Sequence, residues 1–291
     1  MSAVPPRLPD ARTAASLPGV SVEVIDLMRT IGAAEATASE ISDALSRDLT
    51  LTARVLKVVN SAYYGQSRTI ASVERAVVVL GFPAVRSIAM AAGCFRLRRM
   101  GSAVGGISPE SLLSHGLAVA LASRQLARHR EGLCREEAFM AGLLHDFGLM
   151  LEMHGSPAEF SDLAERMQSE DASGPHAWLA LEAELFGRSH GHSAAVVFAE
   201  WQLPERIVGA VASHHAPLRA DGPLRELAAV VALADSLAAD AGLGFAGASE
   251  PMVPEDSLLE YLGFDWAERA GLQDDIRSEL SGLQRILGDD S

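Results

Sequence analysis

The sequence predicts an all-α protein, and three observations carry that prediction. Apolar residues recur at helical intervals, as in Leu51, Val55, Val58, Val59 and Ala62, the i, i+4, i+7, i+8 stripe of a helix with one buried face. Aromatic residues make up only 5% of a chain that is 48% hydrophobic. Its core must therefore be filled by Ala, Leu and Val, which suits closely packed helices better than a sheet. Finally, Ser, Pro and Gly recur where helices would start and stop.

Taken in order, residues 1–18, with Pro5, Pro6 and Pro9, read as a loose lead-in. The Leu51 helix runs into Asn60-Ser61-Ala62-Tyr63-Tyr64-Gly65, where Gly65 can take the left-handed C-terminal position. Ser72 reads as the N-cap of the next helix, Gly81 as its stop, and Pro83 as a first-turn proline of another. Val77-Val78-Val79-Leu80 has the β-branched look of a strand, but its flanks are helical and it is read as helix. Arg98 to Ile107 holds Gly101, Gly105 and Gly106 without periodicity and reads as a connection. Ser108-Pro109-Glu110 then supplies a cap, a first-turn proline and a first-turn acid.

Pro175 and Pro204 mark later starts, with Gly187 as a stop between them. After Gly222-Pro223 a last strong helix is expected, followed by a Gly/Pro-rich turn from Gly242 to Pro254 and an acidic tail. The expected organisation is a lead-in over 1–18, an N-terminal helical half over 19–107, a second helical half over 108–240 and a C-terminal extension over 241–291.

A net charge of −14 and a pI near 5.0 argue against nucleic acid and anionic lipid as partners, because phosphates would be repelled. Cys94 and Cys134 read as reduced, partly buried thiols. The N-terminus lacks the apolar core of a signal peptide. No stretch approaches the roughly 20 apolar residues of a membrane span. A soluble, cytoplasmic protein is expected.

The sharpest local feature is Ala141-Gly142-Leu143-Leu144-His145-Asp146-Phe147-Gly148. On one continuous helix, Ala138, Ala141, Gly142, His145, Asp146 and Leu149 would share a face. The small residues would leave room for another helix or an ion. An adjacent His-Asp pair can offer an imidazole nitrogen and a carboxylate oxygen to one metal; a buried histidine bonded by its neighbouring aspartate is the alternative. Ile207 and Val211 lead at helical spacing to His214-His215, placing one of the two on a buried face. Asp235 interrupts the stripe Leu224, Leu227, Ala228, Val231 and Ala238 with a charge, which is costly unless paired or metal-bound. A salt bridge or a cap on a neighbouring helix would serve as well. His115 and His190 fall on the buried sides of their helices, as ligands or as packed core histidines. His129, His154 and His176 are assigned no role.

The order His115, His145-Asp146, Asp235 matches the spaced signature of the HD phosphohydrolase superfamily, and the chain resembles the HDOD family, a regulatory branch of it. The matching residues include Asp48-Leu49-Thr50-Leu51-Thr52-Ala53-Arg54-Val55-Leu56-Lys57, Asn60-Ser61-Ala62-Tyr63-Tyr64-Gly65, Ser72-Val73-Glu74-Arg75-Ala76, the His145-Asp146 run, Phe186-Gly187-Arg188-Ser189-His190, Trp201-Gln202-Leu203-Pro204 and His214-His215. They span roughly Leu17 to Pro217, with the Asp235 helix as an extension. The resemblance implies a multi-helix HDOD/HD-like bundle, with an N-terminal helical half and an HD-like second half, used in bacterial signal transduction.

Two departures bear on activity. Active phosphodiesterases of the related HD-GYP branch carry a lysine after His-Asp-x-Gly, where this chain has Leu149. Their Gly-Tyr-Pro after the paired histidines is replaced by His214-His215-Ala216-Pro217-Leu218.

The favoured expectation is a regulatory module without turnover, contacting a sensor kinase, a nucleotide-signalling enzyme or a transcription regulator. The alternative is a metal-dependent phosphohydrolase, in which His115, His145, Asp146, His190, His214 and Asp235 hold one or two divalent ions, of Fe, Mn, Zn or Mg. A third reading, phosphate binding by Arg86, Arg96, Arg98 and Arg99, competes with a plain solvated basic face and is the less favoured of the two.

Overall fold

The computed structural model describes residues 22–66, 68–99, 101–168, 177–245, 255–264 and 269–288. Among these residues the secondary structure is helical, with one isolated antiparallel bridge between Val104 and Ile107 inside the expected connection. The lead-in, Pro175 and His176 lie outside the described residues.

The first half holds α1 (Val22–Gly32), α2 (Ala38–Ser46), α3 (Leu49–Val59), α4 (Val73–Leu80) and α5 (Phe82–Arg96). Thr37 and Glu40 close a capping box on α2, and Asp48 caps α3. The α3 helix stops at Val59, earlier than Gly65. Asn60 is the reason, since its side-chain amide donates to the Leu56 and Ile70 carbonyls and accepts from the Ile70 amide, pinning the following loop. Gly65 does have a positive φ of 58°, but after a short 3₁₀ turn over Ala62–Tyr64. Ser72 caps α4, which contains the valine run, and Gly81 at φ 86° separates α4 from α5; an L side chain is disfavoured there.

The second half holds α6 (Pro109–Leu126), α7 (Arg135–Leu144), α8 (Phe147–Gly155), α9 (Pro157–Met167), α10 (Ala177–Phe186), α11 (His190–Glu200), α12 (Glu205–Ser213) and α13 (Gly222–Asp240). Ser108 caps α6 with Pro109 in its first turn. This helix is apolar on nearly every side because it is the central one, packed by α7, α13 and α15.

The α13 helix is not the last. It is followed by α14 (Glu255–Leu262) and α15 (Arg269–Gly288), and α15 buries Ile276, Leu280, Leu283 and Leu287 against α6, α3 and α13. The acidic character of this stretch belongs to its outer face, while apolar residues at helical spacing face inward. One hydrophobic cluster runs from Val24 to Leu287. The two halves meet where the Ala34 amide donates to the Gln202 carbonyl at 2.7 Å; Gln202 has the left-handed φ of 58°. No helix among the described residues is long and apolar enough to cross a membrane. Cys94 is buried and its thiol is pushed up to about 12 by burial, whereas Cys134, expected to be partly buried, is exposed ahead of α7.

Candidate metal centre

Five elements deliver the candidate side chains to one place. His115 lies in the second turn of α6, His190 opens α11, His214 and His215 follow the end of α12, and Asp235 lies within α13. His145 and Asp146 are not on a continuous helix. The α7 helix ends at Leu144 and α8 begins at Phe147, with the pair in the turn between them. On a helix, adjacent residues point about 100° apart; the turn lets both face the same point. Two glycines make this approach possible. A Cβ on Gly142 would meet the Val119 carbonyl oxygen of α6 at 2.8 Å, and one on Gly148 would overlap the His190 carbonyl. The small residues expected to admit a neighbour thus admit α6 and the start of α11, while α7 also packs on the Asp235 helix.

Asp146 sits at the middle. Its Oδ1 lies 3.0 Å from His190 Nε2 and 3.7 Å from His214 Nε2. Its Oδ2 lies 3.2 Å from His145 Nε2 and 3.7 Å from His115 Nε2. Asp235 Oδ1 closes the second side, 3.0 Å from His115 Nε2 and 3.9 Å from His145 Nε2. His215, absent from the expected ligand set, joins the first side with its Nε2 2.8 Å from that of His190. The donor atoms fall into two groups, each within 4.8 Å of one another: Asp146, His190, His214 and His215, and His115, His145 and Asp235.

The outward ring nitrogens fix the tautomers. Nδ1 of His115, His145 and His214 faces the carbonyls of Leu243, Gly142 and Val211 at 3.1, 2.8 and 2.6 Å. A carbonyl only accepts, so each Nδ1 carries the proton and each Nε2 presents a lone pair inward. His190 Nδ1 instead faces the buried carboxylate of Glu182 at 2.7 Å. Glu182 also accepts from the His190 amide at 2.9 Å and from Trp178 Nε1 at 2.6 Å. The sequence reading missed Glu182; its position eight residues before His190, on a helix whose one other charged residue is Glu184, was the available signal.

His115 Nε2 and His145 Nε2 are buried and lack a hydrogen-bond partner. Buried polar atoms are seldom left so, and a divalent ion fits these nitrogens and carboxylates. Burial lowers the pKa of His214 to about 3, helped by the neighbouring His190 charge, and lowers that of His215 well below its usual value. Both stay neutral, as ligands must. Burial acts against a charge on His190 too, but Glu182 and Asp146 more than offset it and raise its pKa well above the usual histidine value.

The HDOD domain model matches residues 16–217. The chain belongs to the HDOD family.

An uncharacterized protein of Treponema pallidum (strain Nichols) is 24% identical over 220 residues, 75% of this chain and 41% of that one. The chain therefore spans about two fifths of that relative's length. Among solved structures, an HDOD domain protein with unknown function from Geobacter sulfurreducens superposes with a TM-score of 0.72 at 26% identity, covering 95% of this chain and 96% of that one. The response regulator MmoQ of Methylococcus capsulatus gives 0.50 at 25% identity, covering 90% and 96%.

Within this HDOD fold, Leu149 is 1% exposed and packed in the core, so no cation extends from that position toward the centre. Among the described side chains Arg86, Arg96 and Arg98 do not form a phosphate cradle; the side chain of Arg99 lies outside the described residues. Arg96 pairs with Asp48, Arg98 donates to the Phe95 and Gly288 carbonyls at 3.0 and 2.9 Å, and Arg86 reaches the Ala33 carbonyl at 3.5 Å. His129 packs on Phe264, and His154 donates to the Met150 carbonyl, both away from the centre.

Proposed function

We propose that this HDOD protein is a signal-transduction module whose buried centre holds divalent metal and which acts by contact with a partner protein rather than by turnover. The observation that carries the metal reading is the convergence of inward-facing Nε2 atoms on Asp146, with two of them otherwise unpartnered. His115, His145, Asp146 and Asp235 would hold one ion, and Asp146, His190, His214 and His215 a second. The nitrogen-rich donor set favours Fe, Zn or Mn over Mg. Bound there, such ions supply Lewis acidity and a low-pKa water.

The regulatory part rests on enclosure. His115, His145, His190 and His214 are at most 2% exposed, and Phe245 lies edge-on to His115 with ring centroids 5.4 Å apart. Leu149 removes a charge partner for phosphate. Partners of the kinds that fit are a sensor kinase, a nucleotide-signalling enzyme or a transcription regulator, in keeping with the response regulator among its structural relatives.

A metal-dependent phosphohydrolase is the second reading, favoured by one observation: the Asp235 side chain is 30% exposed and opens one side of the centre to solvent. The test is metal content of the purified protein together with turnover of cyclic dinucleotides and nitrophenyl phosphodiesters, with Mn or Fe supplied. Bound metal and background turnover are expected. Robust hydrolysis lost in His145→Ala would overturn the regulatory reading, and a protein that binds no metal would overturn the metal reading.

A further inference from the structure

Three of the centre's histidines lean on backbone carbonyls, and one leans on a charge. His115, His145 and His214 donate Nδ1–H to Leu243, Gly142 and Val211, whereas His190 donates to Glu182. Glu182 is 0% exposed. Its Oε1 accepts from His190 Nδ1 at 2.7 Å and Trp178 Nε1 at 2.6 Å, and its Oε2 from the His190 amide at 2.9 Å. A buried carboxylate is retained against its desolvation cost only where something answers its charge. A carboxylate behind a ligating imidazole fixes the ring and raises its donor strength.

The two sides of the centre also differ in enclosure and in number of histidines. Asp146, His190, His214 and His215 form the larger group. On the other side, Asp235 is 30% exposed.

We propose that Glu182 is a positioning residue that makes the two sides unequal. Acting through His190, it makes the side formed by Asp146, His190, His214 and His215 the tighter one, filled before the side formed by His115, His145 and Asp235. The inference rests on the metal-centre reading above and adds an order of filling to it.

A purely structural Glu182 would only clip α10 to α11 through its hydrogen bonds. The two roles separate in a titration of the full-length, metal-stripped protein with Mn(II) or Zn(II), in mildly alkaline buffer against a chromophoric chelator. Wild type is expected to take up two ions with resolved affinities. Glu182→Gln is expected to weaken the first ion by about 10–100-fold, the usual effect of removing such an outer partner, and to leave the second unchanged. Trp178→Phe, which removes a hydrogen bond to Glu182 but keeps its charge, is expected to leave both unchanged.

Asp235→Asn is expected to weaken only the second ion, and it tests the order even if Glu182→Gln does not fold. Loss of the first ion in Asp235→Asn would overturn the proposal. So would Glu182→Gln and Trp178→Phe giving equal losses, or a folded Glu182→Gln with both affinities intact. Wild type binding no ion would overturn the metal-centre reading and this proposal with it, whereas wild type binding two ions of equal affinity would overturn this proposal alone.

Discussion

Helices α6 and α7 lie side by side and antiparallel, and each end of the pair encloses charged groups. At one end, Arg124 of α6 meets Glu136 of α7 at 3.2 Å and donates to the hydroxyls of Tyr63 and Tyr64 at 3.0 and 3.2 Å. At the other, His115 and His145 point Nε2 at Asp146 and Asp235 without a hydrogen bond of their own. The first end satisfies its cation from within the chain, although one Glu136 oxygen is left over. Burial pushes both phenols up, that of Tyr64 to about 12, so they remain neutral. The second end gathers buried donor atoms that no group of the chain satisfies. The first arrangement ties Tyr63 and Tyr64 to the α6–α7 pair; the second presents donor atoms that could hold a divalent ion.

The largest effect is expected at the closed end. Arg124→Met leaves Glu136 and two tyrosine hydroxyls without their shared partner, and removing one member of a mostly buried pair costs about 3 kcal/mol or more. Urea unfolding of the metal-free protein measures this, while metal stoichiometry should stay at the wild-type value. A loss below about 1 kcal/mol, the size of an exposed pair, would mean that water takes over from Arg124, and the contrast between the ends would fall.

At the open end stability should depend on the ion instead. Free Zn(II) or Mn(II) at about 100 times its dissociation constant adds about 2.7 kcal/mol, and a chelator reverses it. In His214→Ala, which strips a donor from the tighter side, the added metal should give a much smaller increment. An equal increment in that variant would place the ion elsewhere. Asp235→Asn comes next. Asp235 Oδ1 lies 3.0 Å from His115 Nε2 and keeps 30% of its side chain in solvent, so a cost of about 1 kcal/mol is expected in the metal-free protein. A cost of several kcal/mol would mark Asp235 as a structural clamp on α13.

These contrasts explain what was legible in the sequence. Caps at Ser72 and Ser108 announced their helices because capping is local chemistry. His115, His145, Asp146, His190, His214 and Asp235 could each be singled out as polar residues on apolar faces, and the structure gathers all six. His215 escaped because helical periodicity selects one of two adjacent residues, whereas the α12 helix ends at Ser213 and frees both. The break between α7 and α8 escaped for a related reason: periodicity runs through it, and only the need to aim His145 and Asp146 together reveals it. The inward face of α15 was hidden because its partners are remote in sequence, Gln125 to Glu279 among them, whereas Glu182 bonds Trp178 and His190 only four and eight residues away and was simply passed over.

The smallest expected effect concerns a second buried acid near the centre. Glu152 of α8 is 0% exposed; its Oε1 lies 3.2 Å from the Ser193 hydroxyl, and its Oε2 is buried without a partner. Burial, and then the charge of Glu182, raise its pKa well above the ordinary carboxyl value of 4.5. The folded protein therefore holds this proton more tightly than the unfolded chain. The stability linked to it is fully present below about 4.5, the unfolded value, and is lost as pH rises through the raised folded value. Glu152→Gln keeps an acceptor for Ser193, turns the unpartnered oxygen into a donor, and cannot lose a proton. It should match wild type in acid and exceed it by about 1 kcal/mol near neutrality, within the range for an unsatisfied buried polar group. Urea unfolding at a series of pH values measures the difference. A difference that stays constant with pH would mean that Glu152 does not change protonation between the folded and unfolded states.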